Sequence, residues 1–302
     1  MNTLPDYSQG VACVRGQYVP IADAAIPITD WGFLRSDATY DVVTVWDGAF
    51  FRLEAHLERF AASCARFRLD AGRSMDDVTA ALEQCVRLSG LRNAYVEMIV
   101  TRGQPPWGSR DPRLAVNQFY AFAVPYVWIA NEAQREKGLN LMVSDVQRIP
   151  ASSVDPTAKN YHWNDLTMGL LGALDAGGDT VALTDGLGNV IEGPGFNLFC
   201  LNAQGTLVTP AEGVLQGVTR RTVIEMAQAL GVPLELRALP AQELRSAREV
   251  FVSTSAGGVL AVTQVDGHPV ADGSVGPVVR QLIQTYWDWH RDPRYSRKID
   301  YA

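Results

Sequence analysis

A chain of 302 residues, 47% hydrophobic and 20% charged, can bury more than one core and is too apolar to stay disordered. Its net charge of −7, with no basic patch, argues against a nucleic-acid partner. The longest apolar run, Phe119 to Ala130, contains Pro125 and is too short to span a bilayer.

In chain order, Val11–Val14 and Tyr18–Ile21 flank Arg15-Gly16-Gln17 and predict a hairpin. Thr29 to Asp37 is too mixed for a regular element and reads as a loop lining something. Tyr40 to Trp46 is strongly β-forming, Asp47-Gly48 is a turn signal, and Ala49 to Arg52 returns. Leu53, Leu57, Phe60, Ala61, Cys64 and Phe67 recur at helical spacing, with Arg59 off the stripe. A second helix starts at Ser74, where Asp77 completes a capping-box pattern, and stops at Gly90. Strands at Ala94–Thr101 and Gln118–Val124 bracket a Pro/Gly-punctuated loop carrying Trp107 and Arg110, which is long for a simple connection.

Residues 125–138 turn polar and read as an interdomain connection, giving a small domain over 1–124 and a larger one over 139–302. The larger part begins with a strand at Leu139–Val146, then Ser152 to Trp163 leads into a helix striped by Trp163, Leu166, Met168, Leu170, Leu171 and Leu174. Strands follow at Thr180–Thr184, Val190–Glu192 and Phe196–Leu201. A helix opens at Gly217-Val218-Thr219, strands at Glu249–Ser253 and Val259–Val265 surround a small-residue turn, and a last helix runs from about Pro277 to His290. Irregular alternation of strands and helices predicts two α+β domains rather than a doubly wound sheet.

Of 26 basic residues only Lys137, Lys159 and Lys298 are lysines. Lys137 and Lys298 sit in polar runs, whereas Lys159 stands alone between a Ser/Pro-rich loop and a helix. A lysine entering a packed environment is costly as a cation, which favours the nucleophilic amine of a Schiff-base residue; an ordinary helix-start lysine fits the residues equally well. Glu192-Gly193-Pro194-Gly195-Phe196-Asn197 places an acid at a strand end, or else is a tight turn with a solvated carboxylate. Gly217-Val218-Thr219 offers backbone N–H groups and a hydroxyl to a phosphate, or is an ordinary N-cap. Neither Gly186/Gly188 nor Gly193/Gly195 completes a GxGxxG fingerprint. The widely spaced Cys13, Cys64, Cys85 and Cys200 form no CxxC pair and read as reduced residues of a cytoplasmic protein, consistent with an N-terminus lacking a signal-peptide pattern. His56, His162, His268 and His290 show no metal-ligand spacing, so no metal is expected.

A lone lysine, a strand-end carboxylate and a phosphate cradle together describe the needs of pyridoxal 5'-phosphate. At this point the sequence resembles the class IV (branched-chain/D-amino-acid) aminotransferase family, most closely its (R)-selective amine transaminases. The likeness runs from about Val19 to His290. It rests on Phe51-Arg52-Leu53-Glu54-Ala55-His56-Leu57-Glu58-Arg59, Ala158-Lys159-Asn160, the Glu192 to Asn197 stretch, Gly217-Val218-Thr219-Arg220 and Ser253 to Gly258. The resemblance implies a fold-type IV α+β enzyme, with a small α/β domain and a larger β-barrel-like domain with helices. It also implies a homodimer that shares loops between sites, with the aromatic run around Trp31–Tyr40 as a shared wall. By the same likeness Lys159 bonds the cofactor and shuttles the proton, and Glu192 keeps the pyridine nitrogen protonated. Arg59, Val218, Thr219 and Ser255 would hold the phosphate, beside Phe196 and Asn197. The family's tyrosine five residues after the lysine is Asn164 here.

The substrate class follows from the same comparison. Arg35, Tyr40 and Val42 belong to a pattern that looks like the (R)-amine group, and Trp163 and the Thr254-Ser255-Ala256 turn complete the substrate-facing candidates. Branched-chain members carry an arginine two residues after the tyrosine that matches Tyr95; this chain carries Glu97, which removes a cationic anchor for a carboxylate. Arg110 matches the mobile arginine that pairs with a keto acid and withdraws for an apolar amine. The expected activity is transfer from a primary (R)-amine to a keto acid such as pyruvate, the alternative being a branched-chain or D-amino-acid aminotransferase. No nucleic-acid or membrane partner is expected.

Overall fold

Side-chain alternation organises the first half of the chain. Along the strands Ala38–Trp46 and Ala94–Gln104, Val43, Val45, Val96, Met98 and Val100 point to one face. They are buried there with Phe60 and Cys64 of the helix Leu53–Phe67 and Val78, Leu82 and Cys85 of the helix Met75–Ser89. On the opposite face Tyr40 stands across from Ile99, Val42 from Glu97 and Thr44 from Tyr95. The computed structural model describes residues 6–302, and the strands counted are those of that span. A seven-stranded sheet runs in the order Ser296–Lys298, Ala49–Phe51, Ala38–Trp46, Ala94–Gln104, Val116–Pro125, Val11–Val14 and Gln17–Pro20. Every pairing in it is antiparallel.

The helix predicted at Ser74 forms because the Ser74 hydroxyl accepts from Asp77 N–H at 3.1 Å while the Asp77 carboxylate accepts from Ser74 N–H at 3.2 Å. Such a cap contributes about 1 kcal/mol. The stretch Thr29–Asp37 is not the loop expected: Trp31–Arg35 is a short helix. Asp30 caps it by accepting from Gly32 N–H at 2.7 Å, and the Arg35 guanidinium lies 3.4 Å from the Trp31 ring centroid. One turn held by a cap and a cation–π contact leaves no periodicity to read.

The second half holds an eleven-stranded mixed sheet. Its central strands Phe196–Leu201, Glu249–Thr254 and Gly258–Val265 pair antiparallel, and Gly258–Val265, Leu139–Gln147 and Thr180–Thr184 pair parallel. The core gathers Leu141, Ala182, Leu198, Cys200, Val252 and Val262. The helix after Lys159 spans Asn164–Asp175, but its contact stripe differs from the leucine stripe expected. Leu166, Gly169 and Ala173 are buried, while Met168, Leu171 and Leu174 are 58%, 49% and 50% exposed. Gly169 explains the shift, because a Cβ there would lie 2.8 Å from Leu183 Cδ1: the helix comes close to Leu183 on the face that also buries Leu166 and Ala173.

Backbone contacts divide the chain differently from its composition. One compact unit takes residues through Val127 with Ala158–Tyr161 and His290–Ala302; the other takes Trp128–Thr157 and His162–Trp289. The polar connection expected over 125–138 contains the helix Glu132–Lys137, capped by Asn131. Among the described residues no helix is long and apolar enough to cross a membrane.

Candidate functional site

Lys159 belongs to the first unit because its backbone is bonded to the strand Ala38–Trp46 and the helix Leu53–Phe67. Thr39 Oγ1 donates to Lys159 O at 2.6 Å, Lys159 N–H donates to Ser63 Oγ at 3.1 Å, and Thr39 forms a bridge with Asn160. The amine, Nζ, lies 4.2 Å from the centroid of the Tyr40 ring. Tyr40 stacks in turn on Tyr161, with centroids 4.2 Å apart. The Tyr161 hydroxyl donates to Glu97 Oε1 at 2.5 Å and the Tyr95 hydroxyl to Glu97 Oε2 at 3.2 Å.

Glu97 is only 7% exposed. Burial pushes its carboxyl up, against the opposing pull of the Tyr161 bond, the Lys159 charge and the Tyr95 bond. Burial, reinforced by Glu97, likewise pushes the Tyr95 and Tyr161 hydroxyls up. Tyr40, Val42, Tyr95 and Glu97, all substrate candidates from the sequence, thus share one sheet face.

The other face carries a second cluster. Fully buried Asp41 accepts from His56 Nδ1 at 2.8 Å, from Arg59 Nε at 2.7 Å and from Arg59 Nη2 at 2.8 Å. Burial by itself would raise the Asp41 carboxyl. The Arg59 charge and the bonds from Arg59 and His56 outweigh it and hold Asp41 well below the usual carboxylate range. Burial lowers His56 by more than Asp41 raises it, which favours the neutral ring. Arg59, a phosphate candidate, is therefore oriented by a buried anion.

In the second unit Glu192 is buried at 6% exposure, and both of its oxygens are engaged. Oε1 accepts from Arg148 Nε at 3.1 Å and Oε2 from Leu215 N–H at 3.0 Å. Leu215 O accepts from Asn197 Nδ2 at 2.9 Å. Gly217 follows, where a Cβ would lie 2.1 Å from Asn197 Oδ1. The helix Val218–Ala229 then opens with no side chain capping its first turn. Backbone N–H groups of that turn, with the buried Thr219, lie at the positive end of the helix dipole. Phe196, Thr254 and Ala256 are buried and Ser255 is half-buried, and Thr254 Oγ1 accepts from Ala256 N–H at 3.1 Å. Trp163 sits at the N-cap of the following helix, and Asn164 is that helix's first residue.

Two candidates lie on exposed segments. Arg35 is stacked on Trp31, and Arg110 is exposed in the loop carrying Trp107, itself 91% exposed.

The family profile described as "Amino-transferase class IV" matches residues 38–265. The chain belongs to that family. A putative branched-chain-amino-acid aminotransferase of Methanocaldococcus jannaschii is 26% identical over 277 residues, covering 91% of this chain and 94% of the relative. A D-alanine aminotransferase of Staphylococcus haemolyticus is 26% identical over 275 residues, covering 90% and 95%. A solved branched-chain amino acid aminotransferase from T.th., with pyridoxamine 5'-phosphate, superposes with a TM-score of 0.89 at 25% identity, covering 97% and 99%. The protein is thus a pyridoxal-phosphate-dependent aminotransferase with the fold-type IV α+β architecture expected.

This class IV aminotransferase has a donor set that fits the cofactor. The uncapped start of Val218–Ala229 suits a phosphate, Glu192 is a rigid carboxylate, and the buried Oγ of Ser253, a residue paired in register with Asn197, has no hydrogen-bond partner among the described residues. Sequence reading missed Tyr161, Asp41, Arg148 and Asp165. Asp41 left a trace, an acid inside the β-forming run from Tyr40 to Trp46; Arg148 and Asp165 left none.

Proposed function

We propose that this aminotransferase takes the amino group of a primary (R)-amine and delivers it to a keto acid such as pyruvate. Glu97 carries the reading: a buried carboxylate stands where the branched-chain pattern has an arginine. A buried carboxyl on the face that holds Tyr40, Val42 and Tyr95 supplies no cation for the carboxylate of an amino-acid donor, and an apolar amine needs none. The names of the relatives support a second reading, a branched-chain or D-amino-acid aminotransferase. Turnover of (R)-1-phenylethylamine and L-isoleucine with pyruvate and 2-oxoglutarate, and of D-alanine with 2-oxoglutarate, separates the two. The first requires the (R)-amine to show the highest kcat/KM, and a leading amino acid transfers the assignment to the second.

In either reading Lys159 would hold the cofactor through its amine and would move the proton at the substrate carbon. Glu192 would hold the ring nitrogen, and Arg59, Val218, Thr219 and Ser255 would hold the phosphate, with Phe196 and Asn197 bordering the ring. Asp41 keeps Arg59 aligned. When bound, pyridoxal phosphate supplies the aldehyde that accepts the amino group and a ring that withdraws electrons from the carbon losing its proton. Arg35, Trp163, Thr254 and Ala256 would complete the substrate wall.

Arg110 gives this reading its sharpest single-residue test. A fixed, buried arginine would be left unpaired by an apolar amine, whereas an exposed loop arginine returns to water. Arg110→Ala should slow the keto-acid half-reaction roughly 10- to 100-fold, the size of a lost charge-assisted pair. The amine half-reaction should barely change; stopped-flow traces with equal losses in both halves would remove Arg110 from the site. We also expect a homodimer, since Ile28, Phe33 and Leu34, around the short helix, are 78%, 63% and 57% exposed. Sedimentation of a fully active monomer at assay concentration would refute it.

A further inference from the structure

Glu192 does not stand alone. Arg148, which donates Nε to Glu192 Oε1 at 3.1 Å, also donates Nη1 to Asp165 Oδ2 at the shorter distance of 2.6 Å. The three side chains are 8%, 11% and 9% exposed, so they form a buried row of acid, base and acid. Asp165 is itself fixed. Its Oδ2 accepts from Ile149 N–H at 2.7 Å and its Oδ1 from Leu166 N–H at 2.9 Å, in the first turn of the helix Asn164–Asp175, where the dipole favours an anion. Arg148 is anchored by its own backbone, whose N–H donates to Thr184 O at 2.9 Å.

A carboxylate that must keep a ring nitrogen protonated faces two opposed demands. It needs a rigid pose, which a buried arginine supplies, and it needs its full negative charge, which the same arginine takes away. We propose that Asp165 is a positioning residue that resolves this conflict: it takes up the charge of Arg148, so that Arg148 orients Glu192 without neutralising it. The row then carries a net charge of about −1 with the anion left on Glu192. The geometry agrees, because the shorter bond goes to Asp165. Burial disfavours the Arg148 cation, but Glu192 and Asp165 outweigh it and hold Arg148 firmly charged.

The inference rests on Glu192 being the ring-nitrogen partner, and the test separates the two claims. Full-length protein stripped of cofactor is titrated with pyridoxamine 5'-phosphate, which does not bond Lys159, and with its analogue carrying C–H in place of the ring nitrogen. Tryptophan fluorescence reports binding. The ratio of the two affinities isolates the contact at that nitrogen. Asp165→Asn places the whole Arg148 charge on Glu192 and should cut the preference for the natural ring roughly three- to tenfold, equivalent to half to one pKa unit at the contact. Arg148→Lys keeps a cation but loses the two-sided fork, and should cut the ratio as well. A merely structural role would weaken both ligands alike and leave the ratio at its wild-type value, which overturns the inference. Glu192→Gln is the control: if it too leaves the ratio unchanged, the Glu192 assignment fails first. If it alone lowers the ratio, only the role of Asp165 and Arg148 falls.

Discussion

Lys159→Ala should reduce turnover by roughly four orders of magnitude, because in the proposed mechanism one side chain serves as both nucleophile and proton carrier. The substitution leaves the segment in place. Its backbone bonds to Ser63 and Thr39 do not involve the side chain, and the stack of Tyr40 on Tyr161 is independent of the amine. The variant should therefore fold, bind phosphate-bearing ligands and fail in chemistry. Borohydride treatment of the wild-type protein should fix the cofactor irreversibly, and peptide mapping should find it on Lys159. The other two lysines, Lys137 and Lys298, are exposed and give no packed environment to an amine. An adduct on either of them would overturn the assignment.

Glu192→Gln should slow loss of the substrate proton by roughly two orders of magnitude or more while the protein still binds cofactor. The carboxylate accepts from Arg148 on one oxygen and Leu215 N–H on the other. A carboxamide accepts through only one atom, so one buried donor is left unpaired at a cost of about 1–3 kcal/mol in stability. The fold should survive that loss, since the strand Phe196–Leu201 beside it lies inside the sheet. Single-turnover measurement with the amine donor, alongside thermal melts, distinguishes slowed chemistry from unfolding. Near-wild-type turnover would place the essential carboxylate elsewhere.

Local chemistry made much of this protein legible in the sequence alone. The helix Met75–Ser89 follows from Ser74, Asp77 and Gly90, whose effects act within a few residues. The hairpin Val11–Pro20 and the strands Ala38–Trp46 and Glu249–Thr254 follow from β-forming runs closed by turn residues. The family, and with it the cofactor, was readable for the same reason: the resemblance rests on short, ordered stretches around Lys159, Glu192 and Gly217-Val218-Thr219.

Tertiary structure decided the rest. Ala158–Tyr161 belongs with the first sheet because Thr39 bonds Lys159 across 120 residues of sequence, a distance no compositional boundary reveals. The helix Asn164–Asp175 buries Gly169 with Leu166 and Ala173 and leaves Leu171 and Leu174 about half exposed, because close approach to Leu183 selects the face that packs. Asp41 holds Arg59 and Asp165 holds Arg148 because burial makes an unpaired charge too costly to keep. That cost arises only once packing removes water, so a sequence lists charged side chains and only the fold assigns each its partner.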